Sequence, residues 1–313
     1  LDPANLPGDA LDAYIFPRTG QQRTPATYAE GVLTATGNGT IYEGALFESG
    51  GGVQFVATET VVIAGSGTVP IRCVTPGAVG NLPAGSVTMM PVQIAGIVSV
   101  INQSPTAEGY EAETDEAYYQ RFLLRLQTPP TSGNQYHYLE WAMEVSGVGG
   151  VQLFPLDRGA NTVGVVLVNQ FGKPASAELV EQVQEHIDPD SQGIGEGEAP
   201  IGAYCYVSAA TAQTVDLSLT VTPTAGADQE TVTAAIQAAV TDYLREEALE
   251  AYTPSVSGEK GYRVSYARIG SAILDTEGVD DYERLTVNGG TGNLTVPEKY
   301  AAVLGEVTVS YGT

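Results

Sequence analysis

GAVGNLPAGSVTMMPVQIAGIVSVINQSPTAEGYEAETDEAYYQRF, residues Gly77–Phe122, separates two kinds of sequence. Before it the chain is threonine-rich and punctuated by glycine, as in small β-structures. After it, helical spacing alternates with strand-like runs. Within it, Gly77, Gly80, Asn81, Pro83 and Gly85 place permissive and rigid turn residues close together. Ile97, Val98 and Val100 lead to Asn102, and Glu113-Thr114-Asp115-Glu116 opens a helix that Thr114 or Asp115 can cap.

Working upstream, short apolar runs predict strands at Val32-Leu33, Thr40–Tyr42, Val53–Val56, Thr60–Ile63, Val69–Val74 and Ser86–Thr88. Gly37-Asn38-Gly39, Ser49–Gly52 and Gly65-Ser66-Gly67 are expected to be the turns between them. Strands at this spacing indicate a small all-β domain, a sandwich or barrel, over residues 31–104. Residues 1–30, broken by Pro7, Pro17 and Gly20, are expected to be an extended arm, the remnant of a longer N-terminus.

Downstream, Tyr118, Phe122 and Leu126 lie four apart on one helical face, with Arg121 and Arg125 towards the favourable end; Pro129-Pro130 ends the helix. Ser132 and Gln135 have capping-box spacing before a stripe of Tyr138, Trp141, Ala142 and Val145. A hairpin at Val151–Val168, a helix started by Pro174 and a strand at Ala203–Val207 complete an α+β segment, 105–210. A second, 211–313, holds the alternating strand Thr214–Thr222, helices capped by Asp228 and Ser265, and two closing strands. The fold class is therefore α+β and multidomain: an all-β domain, then two layered modules, ferredoxin-like or similar, with helices on one side of a mostly antiparallel sheet. Gly147-Val148 and Gly278-Val279 each end a helix and start a strand, which suggests that the two modules repeat.

The chain has 313 residues, long enough for two or three domains. Its 13 basic and 37 acidic residues give a net charge of −24, which repels phosphate backbones and anionic lipid. Nucleic acid and direct membrane insertion are therefore not expected; no run reaches the ~18 apolar residues of a membrane helix. Cys73 and Cys205 sit in apolar runs and read as buried thiols.

Catalysis finds no constellation. His137 flanks an aromatic stripe and His186 occupies a last helical turn, where a cation is favoured. No Gly-x-Ser-x-Gly elbow occurs, and the two Cys and two His are too scattered for zinc. The acidic stretch Asp188–Glu198 lacks the calcium-loop order and reads as a solvated, mobile loop; Glu246-Glu247 and Asp280-Asp281 read as water-facing pairs. No catalytic, metal or cofactor site is expected.

Taken in order, Gly50–Thr58 with Gly52 and Phe55, the Gly80-Asn-Leu-Pro-Ala-Gly85 block, Val98–Asn102 with Gly109, and Glu113-Thr114-Asp115-Glu116 with Arg121 resemble the baseplate J-like proteins of contractile phage tails and related injection machines. The resemblance implies a non-enzymatic virion or prophage structural protein without cofactors. It implies a baseplate wedge whose partners are other wedge proteins, copies of itself, the central hub and sheath-proximal components. It further implies coupling of baseplate rearrangement to sheath contraction, and assembly in the bacterial cytoplasm. The matched residues are expected to act as fold determinants rather than contacts. Two readings from other classes stand beside this one: a secreted or surface β-rich binding module, and a hydrolase using acidic residues.

Overall fold

The computed structural model describes residues 6–127, 133–252 and 261–312. Two compact units divide the chain, one up to residue 129 and one from residue 130.

The first unit is a nearly closed, barrel-like sheet with a helix pair. Its strands are β1 (Glu30–Ile41), β2 (Leu46–Ser49), β3 (Gln54–Ala57), β4 (Val61–Cys73), β5 (Val87–Met89) and β6 (Ile97–Asn102). They are ordered β5-β2-β3-β4-β1-β6, and every ladder is antiparallel. Alternate side chains fill the interior: Leu33 and Ala35 from β1, Phe47 and Phe55 from the β2–β3 hairpin, Ile71 and Cys73 from β4, Val100 from β6. Gly52 turns that hairpin at φ 83°, its N–H bonded to Ser49 O.

Two glycine clusters differ from their expected role as turns. Thr40-Ile41 continues β1, and Val61–Ile63 joins Val69–Cys73 in one β4, so Gly37 and Gly65 are paired mid-strand. Gly37 and Gly39 are there for close approach. A Cβ on Gly37 would lie 2.2 Å from Gly96 O, one on Gly39 2.3 Å from Ala95 O, and one on Gly96 1.9 Å from Asn38 O. The backbone entering β6 crosses β1 at these positions, where the β1–β6 register also shifts.

Residues 8–19 also depart from the expected extended arm: they form helix α1 (Gly8–Thr19). Asp9 lies in its first turn and Arg18 in its last, and Gly20 ends it at φ 74°. Pro17 sits in the last turn and disguises the pattern in the sequence. Leu11 and Ile15, four apart, pack against Tyr118 and Phe122 of helix α2 (Asp115–Gln127). Thus α2, expected to open the following segment, belongs with α1 in the first unit. Leu126, expected on the buried face, is 56% exposed. Pro129-Pro130 and Ser132 lie outside the described residues; the cap of the next helix is Asn134, whose Oδ1 accepts the His137 N–H.

The second unit runs α3 (Gln135–Glu144), β7 (Val148–Pro155), β8 (Thr162–Asn169), α4 (Ala177–Ile187), β9 (Tyr204–Ala209), β10 (Thr211–Pro223), α5 (Gln229–Tyr252), β11 (Tyr262–Val264), α6 (Tyr266–Leu274), β12 (Val279–Val287), β13 (Leu294–Val296) and β14 (Tyr300–Tyr311). Ser176, not Pro174, caps α4; Pro174 instead bridges to Val168. On β10, Val215, Leu217, Leu219 and Val221 are buried on one face, each worth roughly 1.5–3 kcal/mol of transfer free energy.

The two main sheets here have three strands each, β7-β8-β9 and β12-β10-β14. Each central strand has one antiparallel and one parallel neighbour, so the sheets are mixed rather than mostly antiparallel. A ferredoxin-like unit would need four antiparallel strands. The sheets share a plug. Tyr252, at the end of α5 and fully buried, packs with Phe154, Val166, Val168, Ala210 and Ala301, and a Cβ on Gly150 would lie 2.5 Å from its own Cβ. Lys299 Nζ bonds Asp157, and Lys299 N–H bonds the Gln152 amide. The small β11–β13 ladder carries no alternation long enough to read.

Candidate functional site: a polar seam beside the barrel

The stretch 77–122 lies against itself along a line of side-chain hydrogen bonds. Gly77, at φ 98°, starts a 3-10 turn over Ala78–Gly80 whose first N–H is bound by the Glu111 carboxylate. Gly80 is buried, and a Cβ there would come within 2.7 Å of both Ala29 and Cys73 Cβ. Asn81 then clasps Gly109 at both ends: Oδ1 accepts its N–H at 2.9 Å and Nδ2 donates to its carbonyl at 2.7 Å. A Cβ on Gly109 would meet Gly77 O at 2.4 Å, so neither residue tolerates a side chain. Thr106 adds a second rung, donating to Gly80 O at 2.6 Å and accepting the Leu82 N–H at 2.8 Å.

Asn102 closes the barrel. It is fully buried at the end of β6, opposite β5, where no ladder joins the two edge strands. Its Oδ1 accepts the Val87 N–H at 2.8 Å, its Nδ2 donates to Pro83 and Ser104 carbonyls at 2.9 Å each, and its own carbonyl accepts the Gly85 N–H at 2.7 Å. One side chain thus substitutes for a strand-to-strand ladder at the seam, which satisfies edge groups that would otherwise be orphaned. Gly85 supplies the φ of 81° that turns the chain into β5.

At the far end of the seam stands a charged cluster. Arg121 and Glu113 make a two-bond pair at 2.8 and 2.7 Å, their side chains only 8% and 10% exposed. Arg121 also donates to Gln22 O, and Glu113 accepts the Thr24 N–H. Arg121 therefore serves as a rivet here rather than complementing a helix end. Thr114 is the cap of α2, accepting the Ala117 N–H. Asp115 accepts the Gly8 N–H and pairs with Arg23, which also binds Asp12 and the Glu113 carbonyl. Asp115 is held below the ordinary carboxylate range, first by the Gly8 N–H and then by Arg23, against an opposing effect of burial. Burial lowers the Arg23 pKa, but Asp12 and Asp115 outweigh it and the net shift is upward. The Tyr118 ring has both guanidiniums near it, 5.0 and 5.4 Å from its centroid, and its hydroxyl donates to Gln21 O.

Sequence reading missed Arg23, Asp12, Thr106 and Glu111 as members of this cluster. Arg23, Thr106 and Glu111 lie in irregular stretches and Asp12 on α1, and only the fold brings each to its partner.

Gly147-Val148 and Gly278-Val279 lie elsewhere, at matching places in the two mixed sheets. Both glycines have positive φ, 99° and 89°, and both valines are buried. Each glycine carbonyl accepts an N–H from the residue just past the antiparallel central strand: Gln170 after β8, Thr224 after β10. The same device sets the first register of both sheets.

Burial, with Asp188 adding to it, pushes the Cys205 thiol up to about 12, the reverse of an activated nucleophile. Asp188, in the acidic stretch expected to be solvated, is buried, and its two oxygens accept Gly193 and Cys205 N–H groups. Glu247, expected to face water, is largely buried and pairs with Arg268. Among the described residues no group of three or more His, Cys, Asp or Glu is placed to hold a metal ion, and no helix is long and apolar enough to cross a membrane. The seam fixes the register of two chain segments, a mechanical task.

Comparison with known proteins agrees with that character. Three family models match in succession: the Baseplate J-like protein barrel domain over residues 31–109, the Baseplate J-like central domain over 130–209, and the Baseplate J-like protein C-terminal domain over 215–310. The phage-like element PBSX protein XkdT of Bacillus subtilis is 31% identical over 304 residues, covering 96% of this chain and 81% of the relative. The baseplate protein gp47 of Escherichia phage Mu is 30% identical over 275 residues, covering 84% and 72%. With relatives at this identity and coverage, the chain belongs to the baseplate J-like family, structural proteins of phage and prophage baseplates.

Proposed function

We propose that this chain is a wedge component of a contractile tail or phage-like injection particle, several copies of which surround the central hub and join one another and other wedge proteins. It couples baseplate rearrangement to sheath contraction and assembles in the bacterial cytoplasm. The observation that carries this reading is the unbroken succession of three baseplate J-like domains along the chain. The absence of an activated nucleophile or a metal cluster among the described residues is consistent with a mechanical role but does not carry it. Coupling would act through packing that differs between two assembly states, since only differential contacts shift an equilibrium.

The test is electron microscopy of particles from a strain with the gene deleted and then restored. Loss of baseplates and sheathed tails, with other particle parts still accumulating and full recovery on restoration, is the expected result. Complete particles that form and fire without the gene would overturn the wedge assignment. Particles that assemble normally but fail to contract would place the protein in the coupling step alone.

A further inference from the structure

We propose that α1 is a releasable strap, which swings away about Gly20 as a unit while α2 and the barrel stay folded. The attachment points divide sharply at that glycine. From residue 21 onward the chain is pinned to α2 and the residues just before it: Gln21 O accepts from Tyr118, Gln22 O from Arg121, and Thr24 N–H donates to Glu113. None of these bonds involves α1. Gly20 stands between, at φ 74°, a conformation that glycine enters and leaves at little cost.

On the other side of the hinge, α1 is held by a single apolar patch, fully buried Leu11 and Ile15, with little polar support. At 12 residues it is at the margin for an isolated helix, Pro7 at its start provides no side-chain cap, and Pro17 interrupts its last turn. Its apolar grip is Leu11 and Ile15 on Tyr118 and Phe122, with Tyr14 set edge-on to Phe122. Apart from the local Gln21 N–H bond to Thr19 Oγ1, two polar ties join it to the rest of the unit among the described residues, Gly8 N–H to Asp115 and Asp12 to Arg23. The Asp12 and Asp115 side chains are 42% and 47% exposed, so added salt screens these ties. The rivet between Arg121 of α2 and Glu113 just before it is out of water and is screened much less. The unit thus contains a salt-sensitive attachment and a salt-resistant one on opposite sides of a single glycine.

Hydrogen exchange read by mass spectrometry on the full chain tests this. In low salt, amides of α1 are expected to exchange at least ~10-fold faster than those of α2 and of β1 and β4, as local opening requires. Raising NaCl to about 1 M should accelerate α1 a further ~2- to 5-fold, the effect of losing a half-exposed ion pair. Asp12→Ala should give a similar acceleration in low salt and leave a smaller salt response, that of the Gly8–Asp115 tie alone, although alanine is the better helix former. Exchange in the barrel should not move in any arm. The proposal is overturned if α1 amides are as protected as the barrel core. It is equally overturned if Asp12→Ala leaves α1 exchange unchanged, or if salt and the substitution accelerate the barrel along with α1.

Discussion

Replacing Asn102 by alanine tests whether one side chain closes the barrel. The substitution deletes three hydrogen bonds. Val87 is fully buried, so its N–H is left without a partner at a cost of about 1–3 kcal/mol. Pro83 and Ser104 are exposed residues whose carbonyls can take water instead, so each of those bonds is worth only about 0.5–1.5 kcal/mol. The sum centres near 3–4 kcal/mol. With a urea dependence of about 1–3 kcal/mol per molar, the barrel midpoint should fall by roughly 1–4 M. Far-UV circular dichroism follows the whole chain, whereas fluorescence of the single tryptophan, Trp141, reports the second unit, so the two together isolate the barrel transition. A loss below about 1 kcal/mol would refute the reasoning. Asn102→Asp separates the two ends of the amide. Its carboxylate can still accept from Val87, but it faces the Pro83 and Ser104 carbonyls without a proton to donate. Burial raises the pKa of the new carboxyl, so this variant should gain stability as pH falls through that raised value. Asn102 itself does not titrate.

Three further outcomes are expected. Arg121→Ala leaves the Glu113 carboxylate buried without its cation and should cost about 3–5 kcal/mol, whereas Arg121→Met combined with Glu113→Gln should cost less; calorimetry on the single and double variants measures the difference. Gly96→Ala forces a Cβ onto Asn38 O and an unfavourable φ of 81°, a loss of about 3 kcal/mol or more, while Gly50→Ala, with open space around it, should be close to neutral in the same thermal melt. His186 has its pKa raised, first by its hydrogen bond to Glu144, so the pair contributes below the unfolded value of about 6.5 and is lost as pH rises through the higher folded one. The pair is half-exposed and worth a few tenths of a kcal/mol; an NMR titration should show the His186 midpoint falling in Glu144→Gln.

Elements with one period and one exposed face are legible in the sequence. Val215, Leu217, Leu219 and Val221 alternate and share the buried face of β10, and Val232, Ile236, Val240 and Tyr243 mark the buried side of α5 at helical spacing. The caps Asp228 and Ser265 act through their own side chains as their chemistry dictates. Reading failed where a residue serves a distant neighbour. Gly37, Gly39 and Gly65 look like turns because permissive residues usually mark turns; here Gly37 and Gly39 make room for a backbone almost sixty residues away, at Ala95 and Gly96. The α1 helix was hidden by Pro17 within it, and its apolar pair Leu11 and Ile15 is too short a pattern without α2 opposite. The seam was half visible: Asn81, Asn102, Gly109 and Glu113 stand out as residues, but the pairing of Asn81 with Gly109 or Glu113 with Arg121 depends on the folded path between them.

The Tyr252 plug bears on how such proteins can exchange parts. The last segment of the chain starts only one residue after β9, separated from it by Ala210, and the tyrosine that seals the preceding sheet is carried on a helix of that last segment. A recombination event that swaps the C-terminal third between two tail gene clusters therefore imports a new Tyr252 position, while Gly150, Phe154, Val166 and Val168 remain from the old parent. Mosaic chains joined near residue 210 should survive only when both parents shape that socket alike. Crossovers near the junction of the two compact units, around residue 129, keep Tyr252 and its socket from one parent, and natural mosaics should concentrate there.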